Sequence, residues 1–179
     1  FSDIQQPTME GFDKTGYYET KWQKICDGPV FTSFKYRQPV KYAVVEETII
    51  IYNQVKRIDF EIDVKNWQGV LYREFRAAFP LNMTAPVITY EVPAGVVEVG
   101  KDELKGAAGH MYKTECRLVH PRTMVDWVNA SGNGFGATIS SSVIAFDYLD
   151  PTPGPSPATL ITPILFASRK SCHWEGNDY

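Results

Sequence analysis

The sequence of 179 residues is poor in basic clusters and in long apolar runs. Lys and Arg number 18 against 21 Asp and Glu, which gives a net charge of −3, and the basic residues form no block. Nucleic-acid binding requires a basic surface, so we predict no nucleic-acid partner. A membrane helix needs about 18 or more consecutive apolar residues, and no run approaches that length. We therefore predict no membrane partner.

Cysteine and histidine are also scarce, with three of each in the chain. Cys26, Cys116 and Cys172 are far apart and lack the paired spacing of zinc-binding motifs, so we interpret them as buried or incidental thiols. His110 and His120 are isolated and have no ligand partner at a fixed spacing. The first residues, FSDIQQPTMEG, lack a basic start and an apolar core, so we predict no targeting segment. The compartment stays open.

The tract SRKSCHWEGNDY concentrates polar residues that could bind a metal. Adjacent residues such as Cys172 and His173 point to opposite sides of an extended chain, and the spacing fits no recognised zinc pattern. We therefore predict no metal site. A hydrogen-bonded surface or inter-domain segment is the expected alternative, with His173, Trp174 and Glu175 as the inter-domain candidates.

The clearest periodicity in the chain is RIDFEIDV, where apolar and charged residues alternate. This pattern is typical of a β-strand with one face buried and the other in water. It predicts that Asp59, Glu61 and Asp63 point towards solvent or another domain. The residues predicted to be buried on the other face are Ile58, Phe60, Ile62 and Val64.

Further tracts rich in β-branched and aromatic residues predict an all-β fold with about eight strands. A turn is expected at Gln38-Pro39. KDELKGAAG, residues 101–109, is too glycine-rich for a helix and is read as a loop, as is the proline-rich stretch 151–159. We predict one antiparallel β-sandwich domain over residues 1–179. Its strand-forming tracts are VFTSFKYR, YAVVEETIIIYN, RIDFEIDV, REFRAAFPL, PVITYEVPAGVVEV, TMVDWVNA, FGATISSSVIAFDYL and the central strand LITPILFAS.

Two groups of charged residues have both structural and functional interpretations. Arg73 and Arg76 in YREFR could face a sugar, but the favoured interpretation is pairing across strands. Several carboxylates could take part in acid–base chemistry, but the sequence does not select a pair, because the distance between the two carboxyl groups decides that chemistry. These are Glu91, Glu98, Asp126 and Glu175.

Four ordered tracts of the sequence together resemble the C-terminal β domain of glycoside hydrolase family 38, the α-mannosidases. The likeness runs from about Gln6 to Tyr179 and is greatest to microbial members. It implies a sandwich of the galactose-mutarotase-like supersandwich type, of which this chain is an incomplete part. The tracts are RIDFEIDVKNWQGVLYREFRAAFPLN, YEVPAGVVEVGKDE, GFGATISSSVIAFDY and PILFASRKSCHWEGNDY.

The resemblance implies that the parent protein hydrolyses α-mannosidic bonds with retention. In that family an Asp nucleophile, an acid/base carboxylate and a zinc ion lie on an N-terminal α/β barrel, and none of that barrel is in these 179 residues. The expectation for this chain is therefore no catalytic residue and no cofactor, with zinc in the catalytic domain of the parent. The expected partners are the barrel of the same polypeptide and an α-mannoside.

The same resemblance implies that the β domain packs on the barrel and lends residues to the rim of the cleft. Residues 90–99 align with such a rim segment. Many relatives carry Arg just after the position of Glu98, where this chain has Val99, which weakens the transfer of a substrate contact. The candidate substrate-proximal residues are Tyr90, Glu91, Glu98, Arg73 and Arg76.

Two other functions fit an all-β chain of this composition. A free-standing carbohydrate-binding module would use exposed tryptophan rings, for which Trp67, Trp127 and Trp174 are the candidates. A mutarotase-like epimerase would need one of the three histidines, His110, His120 or His173, to face a carboxylate across a concave sheet.

Overall fold

The computed structural model describes residues 11–103, 121–148, 150, 152, 154–170 and 177–178. Within these ranges every regular element is a β-strand except one short 3₁₀ helix, Thr15–Tyr17. None of the described helical structure is long and apolar enough to cross a membrane. The chain divides after Leu71 into two compact units. The prediction of a single domain over residues 1–179 stays a prediction.

The first unit is a four-stranded antiparallel meander in which each strand pairs with the next along the chain. Its strands are β1 (Gln23–Asp27), β2 (Phe31–Val40), β3 (Ala43–Tyr52) and β4 (Ile58–Lys65). The turn predicted at Gln38-Pro39 is wrong, because both residues lie inside β2 and the two-residue connection is Lys41–Tyr42. Strand β1 pairs with β2 only as far as Lys35. Pro39 lies beyond this paired region, so the absence of its backbone N–H costs no hydrogen bond to β1.

The predicted strand RIDFEIDV is confirmed as β4, but its predicted burial is wrong at two positions. Ile58 is 51% exposed and Phe60 is 40% exposed, whereas Ile62 and Val64 are half-buried. Alternation fixes which side chains share a face, but burial of that face depends on a covering layer that local sequence does not specify. Asp59 on the other face is half-buried, since it accepts a 2.9 Å hydrogen bond from the Tyr52 hydroxyl.

This exposure predicts a modest effect of truncating Phe60. Full burial of a phenylalanine side chain contributes about 1.5–3 kcal/mol, and 40% of this residue remains in water. Phe60→Ala should therefore lower the free energy of unfolding by about 1–2 kcal/mol, rather than the roughly 3–5 kcal/mol of a core phenylalanine. Urea unfolding of the two chains measures the difference, and a loss of about 4 kcal/mol would restore the original burial prediction.

The second unit contains two antiparallel sheets. In the first of them, which we call the outer sheet, the order is β11-β10-β7-β8, and in the second the order is β14-β13-β12-β9, with β5 and β6 also pairing with β13. The strands are β5 (Arg73–Arg76), β6 (Phe79–Leu81), β7 (Val87–Val92), β8 (Gly95–Glu98), β9 (Arg122–Thr123), β10 (Trp127–Gly132), β11 (Phe135–Ser140), β12 (Ala145–Asp147), β13 (Thr159–Lys170) and β14 (Asn177–Asp178).

Strand β13 is the centre of the second sheet, as LITPILFAS predicted. It pairs with β12 along one edge and with β5 and β6 along the other. Five consecutive residues, 160–164, are buried, so both faces of the strand are covered. A strand covered on both faces reads as a continuous apolar run rather than an alternating one, which explains the signal.

The two sheets of the second unit pack face to face around one hydrophobic core. The ring of Tyr90 on the outer sheet lies 5.3 Å from the ring of Phe146 on β12, in an edge-to-face contact. The prediction of an all-β antiparallel sandwich is therefore confirmed. The buried core residues are Met83, Ile88, Tyr90, Met124, Val128, Ala130, Phe146 and Ile161.

The number of strands exceeds the prediction. The described residues form fourteen strands, where about eight were expected. Several predicted tracts are each divided in two, as in REFRAAFPL, which forms β5 and β6. Strands of two to four residues show too few alternations for periodicity to detect. Most of the predicted loop 101–109 lies outside the described residues.

Candidate functional site

The solvent-facing side of the outer sheet, which we call the outer face, gathers polar residues around one tryptophan. Thr138, Asn129, Thr89 and Glu98 are direct cross-strand partners on four neighbouring strands, so their side chains form one row on the same face. Trp127 lies two residues before Asn129 on β10 and shares that face. The intervening residues, such as Val128 and Ala130, are fully buried beneath it.

A shallow depression of about 340 Å³ lies in the outer face, lined by Thr89, Trp127, Asn129 and Thr138. Its volume falls at the lower end of the roughly 300–1,000 Å³ typical of small-molecule sites. The amide nitrogen of Asn129 donates to the Thr138 hydroxyl at 2.9 Å and to the Ala137 carbonyl at 3.3 Å. These bonds fix the amide against β11.

Side chains alternate between the two faces of a strand. The candidates Glu91 and Glu98 therefore lie on one face of the outer sheet, and Tyr90 lies on the opposite face. Glu91 lies two residues from Thr89 on β7, so Glu91 and Glu98 both belong to the outer face. Glu98 is paired with Lys101, whose Nζ lies 2.9 Å from its Oε2. Tyr90 points the other way, is only 7% exposed and belongs to the hydrophobic core. Substrate contact by any of the three stays a prediction.

The arginines of YREFR lie on β5, away from the outer sheet. Arg76 donates two hydrogen bonds to one carboxylate oxygen of Glu74, at 3.0 and 2.7 Å, and contacts Asp147 Oδ2 at 3.3 Å. The bond to Asp147 connects β5 to β12 across β13, which lies between them. This agrees with the interpretation that these arginines pair with residues of other strands. Arg73 lies opposite Ser168 of β13. Their proximity to a substrate stays a prediction.

A buried charged cluster, which sequence reasoning did not identify, joins the turn after β8 to the core. Arg122 is 2% exposed and forms a two-pronged ion pair with Glu103, through Nε to Oε1 and Nη2 to Oε2. The Tyr90 hydroxyl donates to Glu103 Oε1 at 3.0 Å, and the backbone N–H of Gly100 donates to its Oε2 at 3.1 Å. The guanidinium of Arg122 also lies over the ring of Tyr148, 4.7 Å from its centre.

This network shifts two ionisation equilibria. Hydrogen bonds from Arg122 hold the pKa of Glu103 down at about 2. Burial, reinforced by the hydrogen bond to Glu103, raises the pKa of Tyr90 to about 12. Both shifts favour the ionic and hydrogen-bonded form seen here at neutral pH. At physiological pH the cluster therefore stays ion-paired and stabilises the fold, and it does not act as a proton-transfer group.

The remaining candidates belong to parts of the sequence other than those that the structure describes. His173, Trp174 and Glu175 lie outside the described residues, as do His110, His120, Cys116 and Cys172. Among the residues that are described, no group of three or more His, Cys, Asp or Glu could hold a metal ion. The predictions about zinc and about an inter-domain role of this tract stay predictions.

Comparison with known families identifies the chain. Residues 7–141 match the family described as "Glycosyl hydrolases family 38 C-terminal domain". The chain belongs to glycoside hydrolase family 38. Searches among curated proteins and among solved structures each returned no significant match. The family 38 assignment therefore rests on the match to its C-terminal domain, which confirms the resemblance seen in the sequence.

The matched segment contains the whole first sheet and the outer sheet of the family 38 domain, including Trp127, Asn129 and Thr138. It ends before β12, so the tract SRKSCHWEGNDY lies beyond it. A family 38 C-terminal domain is part of a glycoside hydrolase, and membership implies association with a catalytic domain in the parent enzyme.

Proposed function

We propose that this chain is the non-catalytic, cleft-forming part of an α-mannosidase. The observation that carries the proposal is the match of residues 7–141 to the family 38 C-terminal domain. In this proposal the parent enzyme cleaves α-mannosidic bonds, and its N-terminal catalytic barrel supplies the reacting carboxylates and the zinc ion. The chain contributes a packing surface and part of the rim around the substrate.

The exposed apolar side of the first sheet supports packing against another domain. Ile51 on β3 and Ile58 on β4 are cross-strand partners on the same face, and they are 40% and 51% exposed. Adjacent exposed aliphatic side chains on one flat face mark an interaction surface more often than scattered single ones do. The proposed occupant of this surface is the catalytic barrel of the same polypeptide.

The outer face supports a contribution to the substrate cleft. Glu91 shares this face with Trp127, and Glu98, whose carboxylate is paired with Lys101, lies on the same face opposite Thr89, so a carboxylate and an aromatic ring occur together there. Carboxylates are strong acceptors for sugar hydroxyls. Arg76 is held by Glu74 and Asp147, so its guanidinium is better suited to bracing β5 against β12 than to binding substrate.

The activity of the parent polypeptide tests this proposal. The full-length enzyme should hydrolyse an aryl α-mannoside with retained anomeric configuration and should lose activity when a chelator removes zinc. The 179-residue chain alone should show no turnover, because a retaining mechanism needs two carboxyl groups about 5–5.5 Å apart around one bond. An aryl glycoside assay with product analysis by NMR measures all three outcomes.

A matched pair of variants in the full-length enzyme tests the packing surface. Ile58→Asp places a charge on the proposed interface and should reduce turnover by roughly 10- to 100-fold, since small displacements of positioned groups are costly in rate. Val30→Asp is the control, because Val30 is 63% exposed in the turn between β1 and β2. Turnover of another glycoside instead of the mannoside, or equal effects of both variants, would count against the proposal.

The position of one of its three candidate tryptophans, Trp127, supports the carbohydrate-binding alternative. Trp67 lies in an edge contact with Tyr42, with ring centres 6.5 Å apart. Trp174 lies outside the described residues. Trp127 borders the depression of the outer face. The epimerase alternative depends on three histidines outside the described residues and stays a prediction.

A further inference from the structure

The tryptophan on the outer face differs from two others in the same chain. Trp22 and Trp67 each make an edge contact with a tyrosine of their own unit, Tyr36 at 4.5 Å and Tyr42 at 6.5 Å. Trp127 makes no aromatic pair, and its indole N–H donates no hydrogen bond, within the part of the chain that is described. Its ring therefore retains both an apolar surface and a donor for a ligand.

The polar groups around Trp127 also retain hydrogen-bonding capacity. Asn129 uses its amide nitrogen for Thr138 and Ala137, but its Oδ1 accepts no hydrogen bond from the described residues. Thr138 accepts from Asn129 and keeps its hydroxyl proton for donation. The Thr89 hydroxyl is unpaired among the same residues. These groups stand on paired strands, which hold them at fixed positions.

This set of groups matches the chemistry of a sugar ring. A pyranose presents an apolar face of C–H groups and a rim of hydroxyls, each of which can donate and accept. A flat aromatic ring with neutral donors and acceptors beside it satisfies both parts. The four residues that line the depression carry no charge, and the carboxylate of Glu91 on the same face would repel an anion.

We propose that the outer face binds a neutral pyranose non-covalently. The ring stacks on Trp127, and its hydroxyls bond with Asn129 Oδ1 and with the hydroxyls of Thr138 and Thr89. Asn129 opens an Asn-Ala-Ser triplet, but its amide nitrogen, the atom that a covalent glycan would use, is engaged with β11. The proposal concerns binding alone and does not depend on hydrolysis by the parent enzyme.

Titration of the ¹⁵N-labelled chain with α-linked mannotriose tests the site directly. The chain has four tryptophans, so its indole N–H signals are few and separable. The signal that is missing in Trp127→Ala identifies Trp127, and this signal should shift with a Kd of about 1 mM or tighter. Trp127→Ala should weaken binding by at least about tenfold, measured by calorimetry.

Two further variants separate binding from folding. Thr89→Val removes one hydroxyl with almost no change of shape and suits a strand, so it should weaken binding by roughly three- to tenfold while the unfolding midpoint is kept. Trp22→Ala is the matched control, because Trp22 is 45% exposed in the first unit. It should leave the affinity within about twofold of the unmodified chain.

Several outcomes would overturn the proposal. One is a Trp127 signal that does not move in 10 mM trisaccharide, about ten times the weakest expected Kd. Another is an equal loss of affinity in Trp22→Ala, or tighter binding of a galacturonic acid trimer than of mannotriose. Binding by the chain without mannosidase activity in the full-length enzyme would contradict only the proposed function, and activity without binding would contradict only this site.

Discussion

Truncating Phe146 to alanine should lower the free energy of unfolding by about 3–5 kcal/mol. Phe146 is 0% exposed on the short strand β12 and contacts the ring of Tyr90 from the opposite sheet. Met124, Val128 and Ile161 belong to the same buried cluster. Because close-packed interiors relax only partly around a lost ring, the variant loses both the transfer free energy and the contacts of the remaining cavity.

Phe135→Ala is the matched control for this prediction. Phe135 begins β11 beside the turn and is 57% exposed, so its truncation should change stability by no more than about 0.5 kcal/mol. Urea unfolding followed by circular dichroism gives both values from the shift in midpoint. Similar losses in the two variants would mean that Phe146 does not join the two sheets.

The hairpins of the second unit illustrate what local sequence can and cannot reveal. Asn133 and Gly134 both have positive φ, 55° and 75°, which is the turn type that an Asn-Gly pair favours between strands. The turn between β10 and β11 could therefore be predicted from the sequence. Ala94 makes the comparable reversal between β7 and β8 with φ of 64°, a conformation that alanine seldom adopts. The tract PVITYEVPAGVVEV was therefore read as one strand.

The candidate site was partly accessible from the sequence for a related reason. Alternation in VITYEV and WVNASG separates Thr89, Glu91, Trp127 and Asn129 from the apolar residues between them, so a shared face could be recognised within each strand. The pairing of Asn129 with both Thr89 and Thr138 is a matter of register between strands far apart in the chain. Local patterns do not specify such long-range register.

The buried cluster of Glu103, Arg122 and Tyr90 shows the same limit more strongly. Glu103 and Arg122 are 19 residues apart and neither belongs to a motif, yet they form the most enclosed ion pair among the described residues. Glu103 lies in a tract that was read only as a loop. Burial of an arginine becomes visible only when the surrounding sheets are assembled, since charged residues are usually exposed.

The pH dependence of stability should carry the signature of this cluster. The folded-state pKa of Glu103, about 2, is below the value of about 4.3 for an unfolded glutamate, so the stabilisation is complete above about pH 4.3 and is lost as the pH falls towards 2. Tyr90 acts in the opposite range. Its pKa of about 12 is above the ordinary 10, so its contribution is lost as the pH rises from about 10 to 12.

Glu103→Ala should destabilise the chain by about 3–5 kcal/mol, because it leaves the guanidinium of Arg122 buried without its counter-ion. Among the described residues, the Nη1 atom of Arg122 is already buried with no hydrogen-bond partner, so the guanidinium has no spare contact there with which to compensate. Lys24→Ala is the control, since it breaks an ion pair whose side chains are 54% and 63% exposed and should cost at most about 1 kcal/mol. Urea unfolding at pH 7 measures both changes.

Removing the orphaned charge as well should restore much of this loss. The double variant Glu103→Ala with Arg122→Met replaces the guanidinium with an apolar side chain that can fill the buried space over Tyr148, so it should be more stable than Glu103→Ala alone. Its stability should also depend less steeply on pH between about 4.3 and 2 than that of the unmodified chain, because the contribution of Glu103 is gone while Asp27, Glu46 and Asp59, whose pKa values are also lowered, still titrate. The double variant could instead be less stable than Glu103→Ala by the full cost of truncating an arginine. That result would mean that the two side chains contribute independently to stability, and that their ion pair does not hold the turn after β8 to the core.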